Sequence, residues 1–174
     1  MKALVAFALT AIAAAGCGSL GGGPGGPAAV ANLAATKGNS ASGTVTFEKR
    51  GDVVRVSGTI SGLKPDAEHG FHVHEKGDCS SGDGMGAGGH FNPLARNHGH
   101  HGGSERHAGD MPNLRADAYG TATFSFDTAG ITIGSGATDI VGRGLIVHRD
   151  PDDYKSQPAG NAGPRIACAV IAKR

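Results

Sequence analysis

Residues 44–60 read TVTFEKRGDVVRVSGTI. Val45 and Phe47 alternate with Thr44 and Thr46, and Val54 and Val56 flank Arg55. A period of two puts apolar side chains on one face of a strand and polar ones on the other. Gly51-Asp52 between the runs is a turn signal. The pattern returns in TATFSF, residues 121–126, where Ala122, Phe124 and Phe126 share one face and Thr121, Thr123 and Ser125 the other. Working outward, strands are expected near 29–35, 42–49, 53–60, 70–74, 113–117, 121–127, 142–148 and 165–172. GLIVH (144–148) and RIACAVIA (165–172) read as the more deeply buried ones. No stretch carries a helical stripe with caps. Eight antiparallel strands around one core predict an all-β fold, a Greek-key flattened barrel or sandwich.

Two connections, 75–112 and 149–164, are unusually long. Loops of that length without their own secondary structure are uncommon unless they are functional or disordered. Glycine, 31 of 174 residues, is more than twice its usual share of about 7%, in keeping with long loops. A formal charge of +1 gives no reason to expect nucleic acid or a polybasic membrane contact. The nine histidines are the stronger clue, because eight of them lie between His69 and His107. In FHVH, residues 71–74, His72 and His74 are two apart on a strand and project from one face.

The N-terminus reads as a targeting segment. Met1-Lys2 is a short basic start, and the apolar stretch Ala3 to Ala15 is too short for a membrane span of about 20 residues. It ends in Ala14-Ala15-Gly16-Cys17, which resembles the lipobox of bacterial lipoproteins, although Ala14 stands where leucine is usual. That resemblance implies a signal peptide over 1–16 and a lipid-modified Cys17; plain secretion with cleavage after an alanine is the alternative. Either route removes the positive charge of Lys2, so the +1 of the chain falls to zero. Residues 17–28 form a Gly/Pro-rich tether with a reach of roughly 18 Å, and the domain runs over 29–174. If Cys17 is lipidated, Cys79 and Cys168 remain as a pair suited to an oxidising compartment. Such a bridge would contribute about 4–5 kcal/mol on the loop-entropy model; two buried thiols are the alternative.

The stretch HFNPLARNHGHHGGSERHAGD, residues 90–110, offers imidazoles and carboxylate suited to zinc or copper. Together with His72 and His74 there are more donors than one tetrahedral ion needs, which allows two ions without assigning them. GFHVHEKGDC, GGHFNPLARNHG, ERHAGDMPNL and GRGLIVHRDPDDYKSQPAGNAGPRIACAVIA, in that order, resemble copper/zinc superoxide dismutase of the bacterial periplasmic type. The likeness covers about residues 29–174. It implies copper held by His72, His74, His90 and His148, and zinc held by His90, His98, His107 and Asp110, one of each per subunit. His90 would bridge the two ions as an imidazolate. Asp152 matches the acid that joins His72 to His98, Arg165 the arginine that attracts and positions the substrate, and Cys79 with Cys168 the family disulfide.

The implied reaction converts two superoxide anions to dioxygen and hydrogen peroxide, protecting the cell envelope. Copper would alternate between two oxidation states, His90 would give and regain a proton, and zinc would position His90 and order the loop. Electrostatic guidance of the anion is known for this family; here it would rest on Arg165, with Lys76 as a possible contributor. The chain between His148 and Gly160 is short beside animal relatives, so their charged guiding loop is not implied. Pro164 restricts Gly163 and removes one backbone donor before Arg165. His69 reads as a turn histidine, His100 and His101 as solvent-facing, and Arg149 as a solvated charge. A non-catalytic periplasmic copper/zinc-binding module on the same fold is the alternative function. Superoxide is the expected small-molecule partner, with a membrane through the lipid anchor, and the protein would act as a monomer or homodimer.

Overall fold

The structure is a computed structural model that describes Gly26 and residues 28–174. The expected signal peptide, Cys17 and nearly all of the tether lie outside the described residues. Ten strands appear: β1 (Ala28–Ala35), β2 (Ser42–Arg50), β3 (Val53–Ser61), β4 (Glu68–His69), β5 (Phe71–His74), β6 (Leu114–Arg115), β7 (Ala122–Thr128), β8 (Gly144–His148), β9 (Arg165–Val170) and β10 (Ala172–Lys173). There is no α-helix among the described residues, only a single 3-10 turn at Met85–Ala87.

All strand pairs are antiparallel, in the order β5-β8-β9-β1-β2-β3-β7. β1 is the corner of the roll. One edge pairs with β2, while the other pairs with β10 near its start and with β9 near its end. β4 and β6 form a separate two-stranded sheet, and β5 approaches β7 where Phe71 meets Phe124 edge to face at 5.4 Å. Inside, Val45, Phe47, Val54, Val56 and Ile60 are fully buried, as the alternation requires. Each such side chain contributes about 1.5–3 kcal/mol on burial.

The strand expected at 165–172 is subdivided, because Ile171 separates β9 from β10 as the chain turns from β8 to β1. β4 lies ahead of the strand expected at 70–74, of which β5 keeps 71–74. The strand expected at 113–117 shortens to Leu114–Arg115, its only partner being the two residues of β4. His69, expected in a turn, is a buried strand residue of β4.

The long loop between β5 and β6 packs onto the edge of β5 that β8 leaves free. Val73 donates its N–H to Gly109 O at 3.0 Å, Phe91 donates to Val73 O at 2.9 Å, and Glu75 donates to Gly89 O at 2.9 Å. The edge strand therefore leaves few unpaired backbone groups, and the loop's His90 and Asp110 come to lie against His74 and His72.

Glycine at 43 is set by close approach. A Cβ there would overlap Thr59 O and lie 2.8 Å from Ile60 Cα. Gly43→Ala should lower stability by about 1–3 kcal/mol through forced separation of β2 and β3, read as a lower urea midpoint.

Candidate metal centre

Two groups of side chains converge where the long loop meets β5 and β8. His72 and His74 of β5, His90 of the loop and His148 of β8 each bring one ring nitrogen within 4.8 Å of the others. His90, His98, His107 and Asp110 form a second such group. Every one of these residues is buried.

Hydrogen bonds decide which ring nitrogen stays free. A carbonyl can only accept, so the nitrogen facing it carries the hydrogen. His74 Nδ1 donates to Gly88 O at 3.0 Å and His148 Nδ1 to Gly163 O at 3.0 Å. That leaves the two Nε2 atoms, 3.4 Å apart, with lone pairs. His72 Nε2 donates to Asp152 Oδ2 at 2.8 Å, and its Nδ1 is buried without a partner. His90 turns Nδ1 toward Asp110 Oδ1 at 2.9 Å, while its Nε2 is buried and unpartnered. His98 directs Nε2 to Asp152 Oδ1 at 2.9 Å. Its Nδ1 lies 3.1 Å from Asp110 Oδ2 but makes no aligned hydrogen bond. Buried polar atoms without partners are costly, and a metal ion would satisfy them. Four imidazole nitrogens suit copper; three imidazoles and a carboxylate suit zinc.

The electrostatics favour ligand-competent protonation states. Burial, reinforced by His72, pushes His148 down to about 3. Burial outweighs the Asp110 hydrogen bond and brings His90 to about 4. Burial and the neighbouring His90 hold His74 well below the ordinary histidine range. All three are neutral near pH 7, the form that binds metal. On Asp110, burial resists the charge, yet hydrogen bonds from His107 and His90, with the His98 ring close by, hold its carboxyl far below the usual range. Asp152 is held low by His72 and His98 against the same resistance. Burial opposes a charged His98, but Asp110 and Asp152 outweigh it and raise the ring to about 9. A divalent ion would take over that balancing charge and displace the proton.

A family model described as copper/zinc superoxide dismutase (SODC) matches residues 41–171. The chain belongs to the copper/zinc superoxide dismutase family. It is 45% identical over 135 residues to the protein named superoxide dismutase [Cu-Zn] of Paramecium bursaria Chlorella virus 1, covering 74% of this chain and 71% of that relative. A solved structure described as the clock protein EA4 superposes with a TM-score of 0.76 at 39% identity, covering 83% of this chain and 93% of the other. These likenesses and the two donor groups favour a dismutase that uses copper and zinc over a non-catalytic metal-binding module.

In this dismutase three rings of the four-histidine group, His74, His90 and His148, open onto a cavity of about 280 Å3 that Arg165 also lines. A β-bulge re-aims the start of β9: Val147 pairs with Ala167 but His148 with Arg165, leaving Ile166 as the extra residue. Arg165 Nη1 donates to Gly84 O at 2.6 Å and Nη2 to Gly88 O. Lys76 is exposed and does not line the cavity, and Arg149 pairs with the adjacent Asp150. His100 is exposed, and its ring lies tilted against that of half-buried His101 at 4.1 Å; neither belongs to a donor group. Cys79 and Cys168 form a disulfide.

Several supports had no local signal in the sequence. Gln157 grips the His98 backbone from both sides, accepting from its N–H at 2.9 Å and donating to its carbonyl at 2.8 Å. Asn113 does the same for Asp152, at 2.9 and 3.0 Å, and donates its own N–H to Tyr154 Oη at 2.7 Å. His69 Nδ1 donates to His148 O at 2.9 Å. Gly160 has a positive φ of 64°, and a Cβ there would overlap Asp152 Oδ1 and sit 2.7 Å from His98 Nε2. Gly160→Ala should therefore act like Asp152→Asn, each lowering zinc affinity by about 10–100-fold in a chelator competition with the purified dismutase. Unchanged zinc affinity in Asp152→Asn would show that the acid orients nothing.

Proposed function

We propose that copper is held by His72 Nδ1, His74 Nε2, His90 Nε2 and His148 Nε2, and zinc by His90 Nδ1, His98 Nδ1, His107 Nδ1 and Asp110. His90 then belongs to both sites. The observation that carries this reading is the two-sided environment of His90, with Nδ1 on Asp110 and a buried, unpartnered Nε2. Bound copper would supply the one-electron chemistry that oxidises one superoxide anion and reduces the next, and zinc, which is redox-inert, would fix the bridging ring.

The chain's own residues supply the rest. His90 lines the substrate cavity, and its Nε2, whenever it is not on the metal, can hold a proton from which peroxide formation can draw. Arg165 is the cation that attracts and orients the anionic substrate there. Asp152 keeps His72 and His98 in register. Each donor group is complete within one chain, which suits a monomer or a homodimer equally. Arg165→Ala should slow turnover by about tenfold at low salt and flatten its dependence on ionic strength, with copper and zinc contents unchanged. A rate at low salt equal to that of the parent would sink the role.

The same reading makes this the bacterial periplasmic lipoprotein form of the enzyme, exported and lipid-anchored at Cys17 to protect the cell envelope. The lipobox-like sequence ending at Cys17 supports it, and the disulfide accords with an oxidising compartment. Cys17→Ser, expressed from the full chain, should move the protein from the membrane fraction to the soluble fraction and abolish incorporation of labelled fatty acid. Membrane retention of that variant would overturn the anchor.

A further inference from the structure

The opening above the copper-set histidines carries a soft donor that the reaction does not use. Met85 begins the 3-10 turn and is 61% exposed, whereas Met111, the other methionine among the described residues, is 1% exposed in the core. Met85 lines the same cavity as His74, His90, His148 and Arg165.

The backbone beneath it is fixed from several sides. Arg165 donates to the carbonyls of Gly84 and Gly88, which bracket the turn. Met85 N–H donates to Asp83 Oδ1 at 2.9 Å, and Gly88 N–H donates to Met85 O at 3.0 Å. The buried Ala87 anchors the far end. A rigid turn therefore holds a flexible thioether at the rim.

A thioether is neutral and polarizable, and as a ligand it favours cuprous ion over zinc. The lining of this cavity includes His74, His90 and His148 but not the remaining zinc-set donors His98, His107 or Asp110. Arg165 at the same rim repels a monovalent cation half as strongly as a divalent one at equal distance. Donor softness, placement and charge all select the same ion. We propose that Met85 is a docking site for Cu(I), holding the incoming ion at the rim before His74 and His148 take it. The inference rests on the copper assignment above, and a dismutation assay of the loaded enzyme tests that assignment separately.

The test uses metal-free protein with its disulfide intact and its methionine methyls labelled with carbon-13. It is titrated with Ag(I), a soft, redox-inert stand-in, and then with Cu(I) under anaerobic conditions. The Met85 methyl should shift from the first additions while Met111 stays still. In Met85→Leu, Cu(I) uptake followed by bound-copper content should slow by about tenfold, equivalent to about 1.4 kcal/mol, with zinc uptake unchanged. Met85→Thr should behave as Met85→Leu does. A Met85 methyl that never moves, Cu(I) uptake equal to the parent, or equal slowing of copper and zinc uptake would each overturn the proposal.

Discussion

The Asp152 carboxylate lies 2.8 Å from His72 Nε2 and 2.9 Å from His98 Nε2. One buried acid thus orients a ring from β5 and a ring from the long loop. Its position is set from three directions: Asn113 holds its backbone, the Tyr154 N–H donates to Oδ1 at 2.7 Å, and Gly160 leaves the space beside it. An uncompensated buried carboxylate would be expensive. Here its hydrogen-bonding capacity is met by groups that themselves need orienting, so each satisfies the other.

The same economy explains how glycine-rich loops stay ordered without regular structure. The loop after β5 uses the free edge of that strand as its template, and the disulfide fastens it to β9. β5 is consequently buried on both faces. Phe71 and Val73 enter the apolar core, while His72 and His74 face the donor groups. A strand that would otherwise be an exposed edge becomes the wall between core and site.

The long strands were legible because alternation survives in TVTFE, VRVSGTI and TATFSF, where one face meets the core and the other meets water. β4 and β10 were not separately legible, and β6 was expected longer than it is, since two residues carry no period and their pairing depends on partners far along the chain. His72 and His74 could be placed on one face from spacing alone. The convergence of His148 with them, by contrast, follows from the β5–β8 register, and the aim of Arg165 from a bulge. Gln157 and Asn113 act on residues dozens of positions away, and Gly160 on Asp152 and His98 at once, through contacts that no local pattern announces. His69 misled for a related reason. Before the strand it reads as a turn residue, yet Gly70 beside it is set by close packing, since a Cβ there would lie 2.7 Å from Ala162 Cβ and crowd the His72 ring.

The role proposed for Arg165 in attracting the substrate is not separable from its part in building the mouth of the cavity. Thr36 Oγ1 donates to its carbonyl at 2.7 Å, and its guanidinium joins the carbonyls of Gly84 and Gly88. Those glycines belong to the loop that also carries His90, and the disulfide ties that loop to β9 three residues beyond the arginine. A lysine would keep the charge, but it lacks the planar fork that reaches two carbonyls at once. With the chain's formal charge only +1, net charge does little to draw an anion from afar. The proposed guidance is local, and a local field works only if its source is held still. The contacts that occupy part of the Arg165 guanidinium are therefore what fix its remaining charge at the cavity.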